Sequence, residues 1–287
     1  MRVSAGFGSR SRVQARVRAG RRVGRYALLI ALSGLIFFPL YITVVNSFAD
    51  ASSLASGPQW WPRHPTLSNY STAWTNAHMG RYLANTVVVT VAITTGQVVT
   101  AILGGYAFAF LEFPLKRMLF VVYLATLMIP GEVTIIQNVA TIHSFGWYNS
   151  YAALIVPFVA SGFGAFLLRQ SFRTIPPDLH DAAALDGYGH WRFLRRVVIP
   201  ISRPAIGAMA LFAFLGAWNQ YLWPLLVTQD DRLRTVQIGL RQLRSENLSS
   251  VTVVYAGTVL TFLPIALLLL AFSKQLVRGL TAGAVKG

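Results

Sequence analysis

The sequence contains no cysteine, so disulfide bridges and thiolate-ligated metals are excluded. Charge is scarce. Only 12% of the 287 residues are charged, against about 25% in a soluble domain. Acids are scarcer still, 9 against 25 lysines and arginines. Histidine occurs at 64, 78, 143, 180 and 190 without the paired spacing that zinc sites use. There is no glycine-rich loop closing on Lys-Ser or Lys-Thr, and no Gly-x-Ser-x-Gly elbow. No catalytic constellation and no metal site can be assembled from what remains. The chain is expected to catalyse nothing by itself.

What is present is apolar: 54% of residues are hydrophobic and the mean hydropathy is +0.53. That places the chain among membrane proteins, and the pattern predicts an all-α, polytopic fold with six spans. They are Tyr26 to Phe48, Tyr82 to Leu111, Met118 to Thr141, Ser150 to Leu168, Pro204 to Val227 and Val251 to Ser273. Pro130-Gly131 breaks the third and Pro264 lies inside the sixth. Residues 1–25 form a basic arm with eight arginines and no acid, expected to be mostly disordered and able to touch anionic lipid. Residues 26–273 form the six-span membrane domain, and 274–287 a short basic tail. The apolar run after the arm is too long for the core of a cleaved signal peptide.

Six spans place both ends on one side, and basic residues decide which. The arm, the 112–117 turn, the stretch 169–203 and the tail hold nineteen lysines and arginines; the opposite loops hold six. The asymmetry puts both termini in the cytoplasm. It also accounts for the +16 net charge without invoking nucleic acid, since the basic residues lie between apolar spans rather than on a soluble basic domain.

One polar stretch stands out. Ile175 to Pro204 carries three of the nine acids, Asp178, Asp181 and Asp186. Its spacing predicts two short helices, Asp178 to Asp186 and Gly189 to Val198, with Gly187 and Gly189 between them. Pro176 and Pro177 suit a helix start, where a missing N–H costs little, and Asp178 complements the helix dipole. Pro200 and Pro204 are expected to close the second unit. The stretch reads as a cytoplasmic docking surface: a chain that moves solute without catalytic machinery must receive energy by contact or from an ion gradient. Ion-coupled carriers place charged residues within their spans, and Glu132 is the one acid available there.

At this stretch the sequence resembles the permease subunits of bacterial ATP-binding-cassette importers. Asp181-Ala182-Ala183 stands at the family's Glu-Ala-Ala position, Asp186-Gly187 at its Asp-Gly, and Phe193, Pro200 and Pro204 match the downstream pattern. Asp181 replaces the usual Glu and Tyr188 the usual Ala. Thr66 to Tyr70, Leu83 to Thr86 and Ala217 to Tyr221 look like the family's first external loop, second span and fifth span. The ending Gly279 to Gly287 is similar to the carbohydrate branch, in the subunit resembling the smaller maltose permease member. Trp60-Trp61-Pro62 and Tyr221 to Pro224 look like the glycerol-3-phosphate permeases of that branch.

The resemblance implies a bacterial cell-membrane permease subunit importing a sugar or sugar-like solute. It implies as partners a homologous permease subunit, two ATPase subunits and an extracytoplasmic solute-binding protein. ATP and Mg would belong to the ATPases and no cofactor to this chain. Asp181, Ala182, Ala183, Asp186, Gly187 and Pro200 would couple to the ATPase. Glycerol-3-phosphate or its diesters are the alternative solutes. An ion-coupled carrier and a membrane scaffold are the readings from other classes.

Candidate pathway residues are Trp218, Asn219, Tyr221 and Glu132. Aromatic faces and amides suit sugars, and helical spacing would put Trp218 and Tyr221 on one face and Asn219 on another. Glu132 either bonds a sugar hydroxyl or sits in water at the outer interface, the second being favoured. Arg232, Arg234, Arg241 and Arg244 are read chiefly as a solvated loop. Gly104-Gly105 and Gly162-x-Gly164 are expected to be close helix contacts.

Overall fold

The computed structural model describes residues 7–245 and 251–281. Among them every regular element is helical. In chain order the α-helices are α1 (Phe7–Ser47), α2 (Ser68–Thr75), α3 (Met79–Phe110), α4 (Lys116–Thr126), α5 (Gly131–Ser144), α6 (Tyr151–Ile155), α7 (Gly162–Phe172), α8 (Pro177–Leu185), α9 (His190–Phe193), α10 (Ile199–Ile201), α11 (Arg203–Trp218), α12 (Leu222–Val227), α13 (Val236–Ser245) and α14 (Val251–Thr281).

Four helical runs are long and apolar enough to cross a membrane: Gly24–Ser47, Met79–Phe110, Tyr151–Phe172 and Val251–Phe272. Two more crossings are bent. Helices α4 and α5 meet at 95°, and the run His190–Ile201 meets α11 at 81°. By length and composition the described residues hold four spanning runs, and the expected six if each bent pair is one span.

Three expectations need correction. The basic arm is helical backbone, continuous with the first span from Phe7; residues 7–38 hold no proline, and arginine is a good helix former. The stretch 204–227 is not one helix, because the chain leaves helical geometry at Asn219 and resumes at Leu222. The second unit does not end at Val198: it runs on through Pro200 to Ile201 and breaks at Ser202, and Leu194–Val198 takes π spacing. Proline has no N–H to donate, and a widened turn absorbs that loss without breaking the helix. The tail from residue 282 onward lies outside the described residues, while 274–281 continue α14.

Helix α3 is the spine. Its 32 residues span about 48 Å, and all three apolar clusters of the core touch it. Against it packs the α6–α7 run, and glycine makes this possible. A Cβ at Gly105 would lie 3.0 Å from the Arg169 backbone N and 3.1 Å from Leu168 Cβ. One at Gly164 would meet Ala101 Cβ at 3.1 Å and collide with Met209 Cε. The expected close helix contacts are present.

The α6–α7 run is not a clean helix. A 3₁₀ turn at Val156–Phe158 and an extended Ser161 interrupt it. An interruption frees backbone carbonyls, which cost several kcal/mol each in hydrocarbon if left unpaired. Neighbouring helices supply donors. Gln97 Nε2 donates to Phe158 O at 2.9 Å, Thr100 Oγ1 to Val159 O at 2.9 Å, Tyr123 Oη to Ser161 O at 3.0 Å and Trp223 Nε1 to Ala153 O at 2.9 Å. The break is thus held by α3, α4 and α12 together. Replacing Gln97 by Leu should lower unfolding stability by about 1 kcal/mol, the typical worth of an interhelical hydrogen bond in a membrane protein. Thermal unfolding of the solubilised protein measures this, and an unchanged midpoint would show that the Gln97 amide does not hold Phe158 O.

Candidate functional site

Helix α8 lies at the end of the bundle where α3 finishes. Pro177 opens it, Asp178 occupies its first turn, and Gly187 closes it at φ +72°. Gly187 N donates to Ala184 O at 3.0 Å and Tyr188 N to Ala183 O at 2.8 Å. These are the paired bonds of a Schellman ending, which needs a residue in the left-handed region and so favours glycine. The expected helix–Gly–helix hinge is present: the first helix and the start of the second fall within a residue of their expected bounds, and the second run continues to Ile201 rather than ending at Val198.

The helix has two faces. Ala183 is buried at 6% exposure against Tyr106, Ile175, Phe193 and Leu194. Its small side chain lets α8 sit close on the core. Asp181, Ala182, Asp186 and Gly187 are exposed, and Leu185 stands 90% exposed. A leucine so exposed beside two carboxylates, on a helix anchored from behind, is an unsatisfied apolar knob on a fixed mount.

An aromatic clasp holds the mount. His180 stacks on Phe110 and meets Phe193 edge-on, and Tyr106 Oη lies 3.0 Å from His190 Nδ1. Tyr188 packs half-buried against the same cluster, with the Arg192 guanidinium over its ring at 4.5 Å. Tyr188 therefore adds packing behind the hinge and leaves the exposed face of α8 unchanged. Pro200 lies apart from α8, in the run that leads into α11.

The four pathway candidates do not converge. Trp218 is 1% exposed, stacked on Phe214 within the cluster of Met79, Tyr82 and Val236. Asn219 is exposed, its Nδ2 donating to Leu215 O at 2.8 Å and its Oδ1 lying 3.4 Å from Gln237 Nε2. Tyr221 is half-buried at the break. The predicted shared face of Trp218 and Tyr221 assumed an unbroken helix, and the break removes it. Glu132 is exposed in the first turn of α5, where a helix N-terminus favours a carboxylate.

A different polar spot lies between α3, α7 and α11. A cavity of about 240 Å³ is lined by Gln97, Ser161, Phe163, Phe212, Gly216 and Gln220, among others. Gln220 Oε1 is buried without a hydrogen-bond partner. None of the four sequence candidates lines it. Two amides, a hydroxyl and two phenyl rings suit a small polyhydroxylated solute. Gln97 was detectable in the sequence as an amide within an apolar span. Ser161 became visible only with the break that exposes it. Among the described residues no group of three His, Cys, Asp or Glu could hold a metal.

The fold is that of an all-α polytopic membrane protein. A family model described as "Binding-protein-dependent transport system inner membrane component" matches residues 97–282. The chain belongs to this family, whose permeases work with a partner permease, an ATPase and a binding protein. It is 34% identical over 277 residues to the sn-glycerol-3-phosphate transport system permease protein UgpE of Yersinia pestis bv. Antiqua (strain Antiqua), covering 92% of this chain and 97% of that one. UgpE of Salmonella typhi is 34% identical over 272 residues, with the same coverage. A solved bacterial ABC transporter involved in import of the acidic polysaccharide alginate has the same fold, with a TM-score of 0.78, 19% identity, and coverage of 94% of this chain and 99% of that one.

Gly187→Ala should destabilise the α8 hinge by about 1 kcal/mol, since only the left-handed backbone is penalised and nothing lies within 4 Å of the added Cβ. Faster amide exchange at 183–188 in the variant would show it, and unchanged exchange would refute the strained-hinge account.

Proposed function

We propose that this chain forms half of the translocation pathway of an ATP-driven importer for glycerol-3-phosphate or a closely related phosphorylated polyol. The carrying observation is its 34% identity, along 92% of its length, to permeases named for that solute. Exposed arginines 63, 81, 232, 241 and 244 on the end opposite α8 are consistent with an anionic cargo.

Its partners are a homologous permease, two ATPase subunits that hold ATP and Mg, and an extracytoplasmic binding protein. Both termini lie in the cytoplasm with α8. Leu185, Asp181, Ala182 and Asp186 seat in a groove of one ATPase, and Ala183, Gly187 and Tyr188 fix the helix behind them. When the ATPases close, α8 is carried with its ATPase, and the clasp of Tyr106, Phe110 and Phe193 passes the displacement to α3. The pathway passes the α3–α7–α11 cavity, where Gln97, Ser161 and Gln220 read hydroxyl groups. That cavity holds no cation, which favours a second reading, a neutral sugar.

ATP hydrolysis by the reconstituted complex decides between them. Binding protein loaded with glycerol-3-phosphate should stimulate it and maltose should not; stimulation by neutral sugar alone would overturn the phosphorylated-polyol reading. Leu185→Ala should cost about tenfold or more of the stimulated rate, as truncating a central apolar anchor does. The melting temperature of the isolated chain should stay unchanged, because the side chain is exposed there. Full stimulation in this variant would remove α8 from the contact.

A further inference from the structure

A cavity of about 920 Å³ opens beside the α8 end of the bundle, between the end of α3, the start of α4 and the end of α7. It lies outside both the docking face and the hydroxyl-reading cavity. Four basic side chains line it, Lys116, Arg117, Arg169 and Arg173, with Glu112 the sole acid. Glu112 is taken by Lys116 at 3.2 Å. Arg117, Arg169 and Arg173 form no ion pair among the described residues.

Arg169 is held in place. Its guanidinium lies 3.9 Å over the Phe120 ring, and its Nε donates to Phe108 O at 3.1 Å. Arg173 follows one helical turn later. Like charges four residues apart oppose each other on a helix, and here no carboxylate relieves them. A fixed guanidinium with a second cation one turn away presents the geometry that a phosphate oxyanion accepts.

The rest of the wall is hydrocarbon. Phe108, Phe113, Phe120, Met118 and Val121 line the cavity, and Leu115, Met118 and Val121 are exposed. A soluble phosphate would use the cations and leave this apolar wall wet. A phosphate carrying an acyl chain would use both. Basic residues between spans at the cytoplasmic boundary are where anionic headgroups bind.

We propose that this cavity binds the phosphate of an anionic phospholipid, with Arg169 and Arg173 holding the headgroup and the α4 side chains covering the first part of the acyl chain. The shared chemistry with free phosphate is the oxyanion; the apolar wall selects the lipid.

The test uses the full chain purified with its co-expressed partner subunits. It is placed in nanodiscs of phosphatidylcholine alone or of phosphatidylcholine mixed with phosphatidylglycerol. Native mass spectrometry reads retained lipid, and thermal unfolding reads the shift. Phosphatidylglycerol should be retained and raise the midpoint, while phosphatidylcholine should not. Arg173→Gln, an exposed side chain with no ion pair, should weaken retention about fivefold, and adding Arg169→Gln should abolish the lipid-specific shift. Arg195→Gln with Arg196→Gln, exposed cations outside the cavity, should leave the shift intact.

Equal retention of both lipids, or loss of the shift in the Arg195/Arg196 variant, would overturn the site. The same midpoint shift from inorganic phosphate in phosphatidylcholine discs would overturn the lipid and leave a soluble anion site.

Discussion

Backbone polar groups cannot be left bare in hydrocarbon, and the structure is built around that constraint. Its helices break at 127–130, at 156–161, at Ser202 and at 219–221. At the second of these, four side chains from three other helices donate to carbonyls of the interrupted run. Polar residues within the spans are therefore occupied first with holding the fold. Among the described residues a few buried polar atoms have no hydrogen-bond partner, among them Trp218 Nε1 and Gln220 Oε1, and Gln220 lines a cavity.

The same economy governs the end opposite α8, where asparagines tie loops to helices. Asn46 exchanges hydrogen bonds with the Gln59 backbone, at 3.0 and 2.8 Å. Asn69 Nδ2 donates to Ser47 O and Ala49 O, both at 2.9 Å, and its Oδ1 accepts from Thr252 at 2.9 Å. Asn85 Nδ2 donates to Arg232 O at 2.8 Å and Arg234 O at 2.9 Å, and its Oδ1 accepts from Tyr151 at 2.8 Å. Thr86 Oγ1 accepts from Val236 N at 2.8 Å. The stretches Thr66 to Tyr70 and Leu83 to Thr86, which carried the family resemblance, thus have a physical task. They pin two loops at the end opposite α8 across distant parts of the chain.

At the α8 end the problem is different. Helix α8 is exposed on one face yet fixed to the spans on the other. Ala183 and the Schellman bonds to Gly187 and Tyr188 fix it; Asp181, Leu185 and Asp186 remain outside. Tyr188, a departure from the family pattern, lies under Arg192 and against the core. It changes how the helix is anchored rather than what it shows.

The amino-acid sequence by itself determined the class, the apolar runs and the helix–glycine–helix hinge, because each is a local property. Hydrophobic run length marks a span, and the acids and glycines of 178–189 mark a short helix and its end. It did not disclose that Trp218 turns into the core, that 219–221 leaves the helix, or that Gln97, Ser161 and Gln220 share a cavity. Those facts depend on which donor on one helix reaches which carbonyl on another, and such pairs lie 38 to 70 residues apart in the chain. Tertiary packing alone selected them, since in the membrane a helix can break only where another helix is there to receive its backbone.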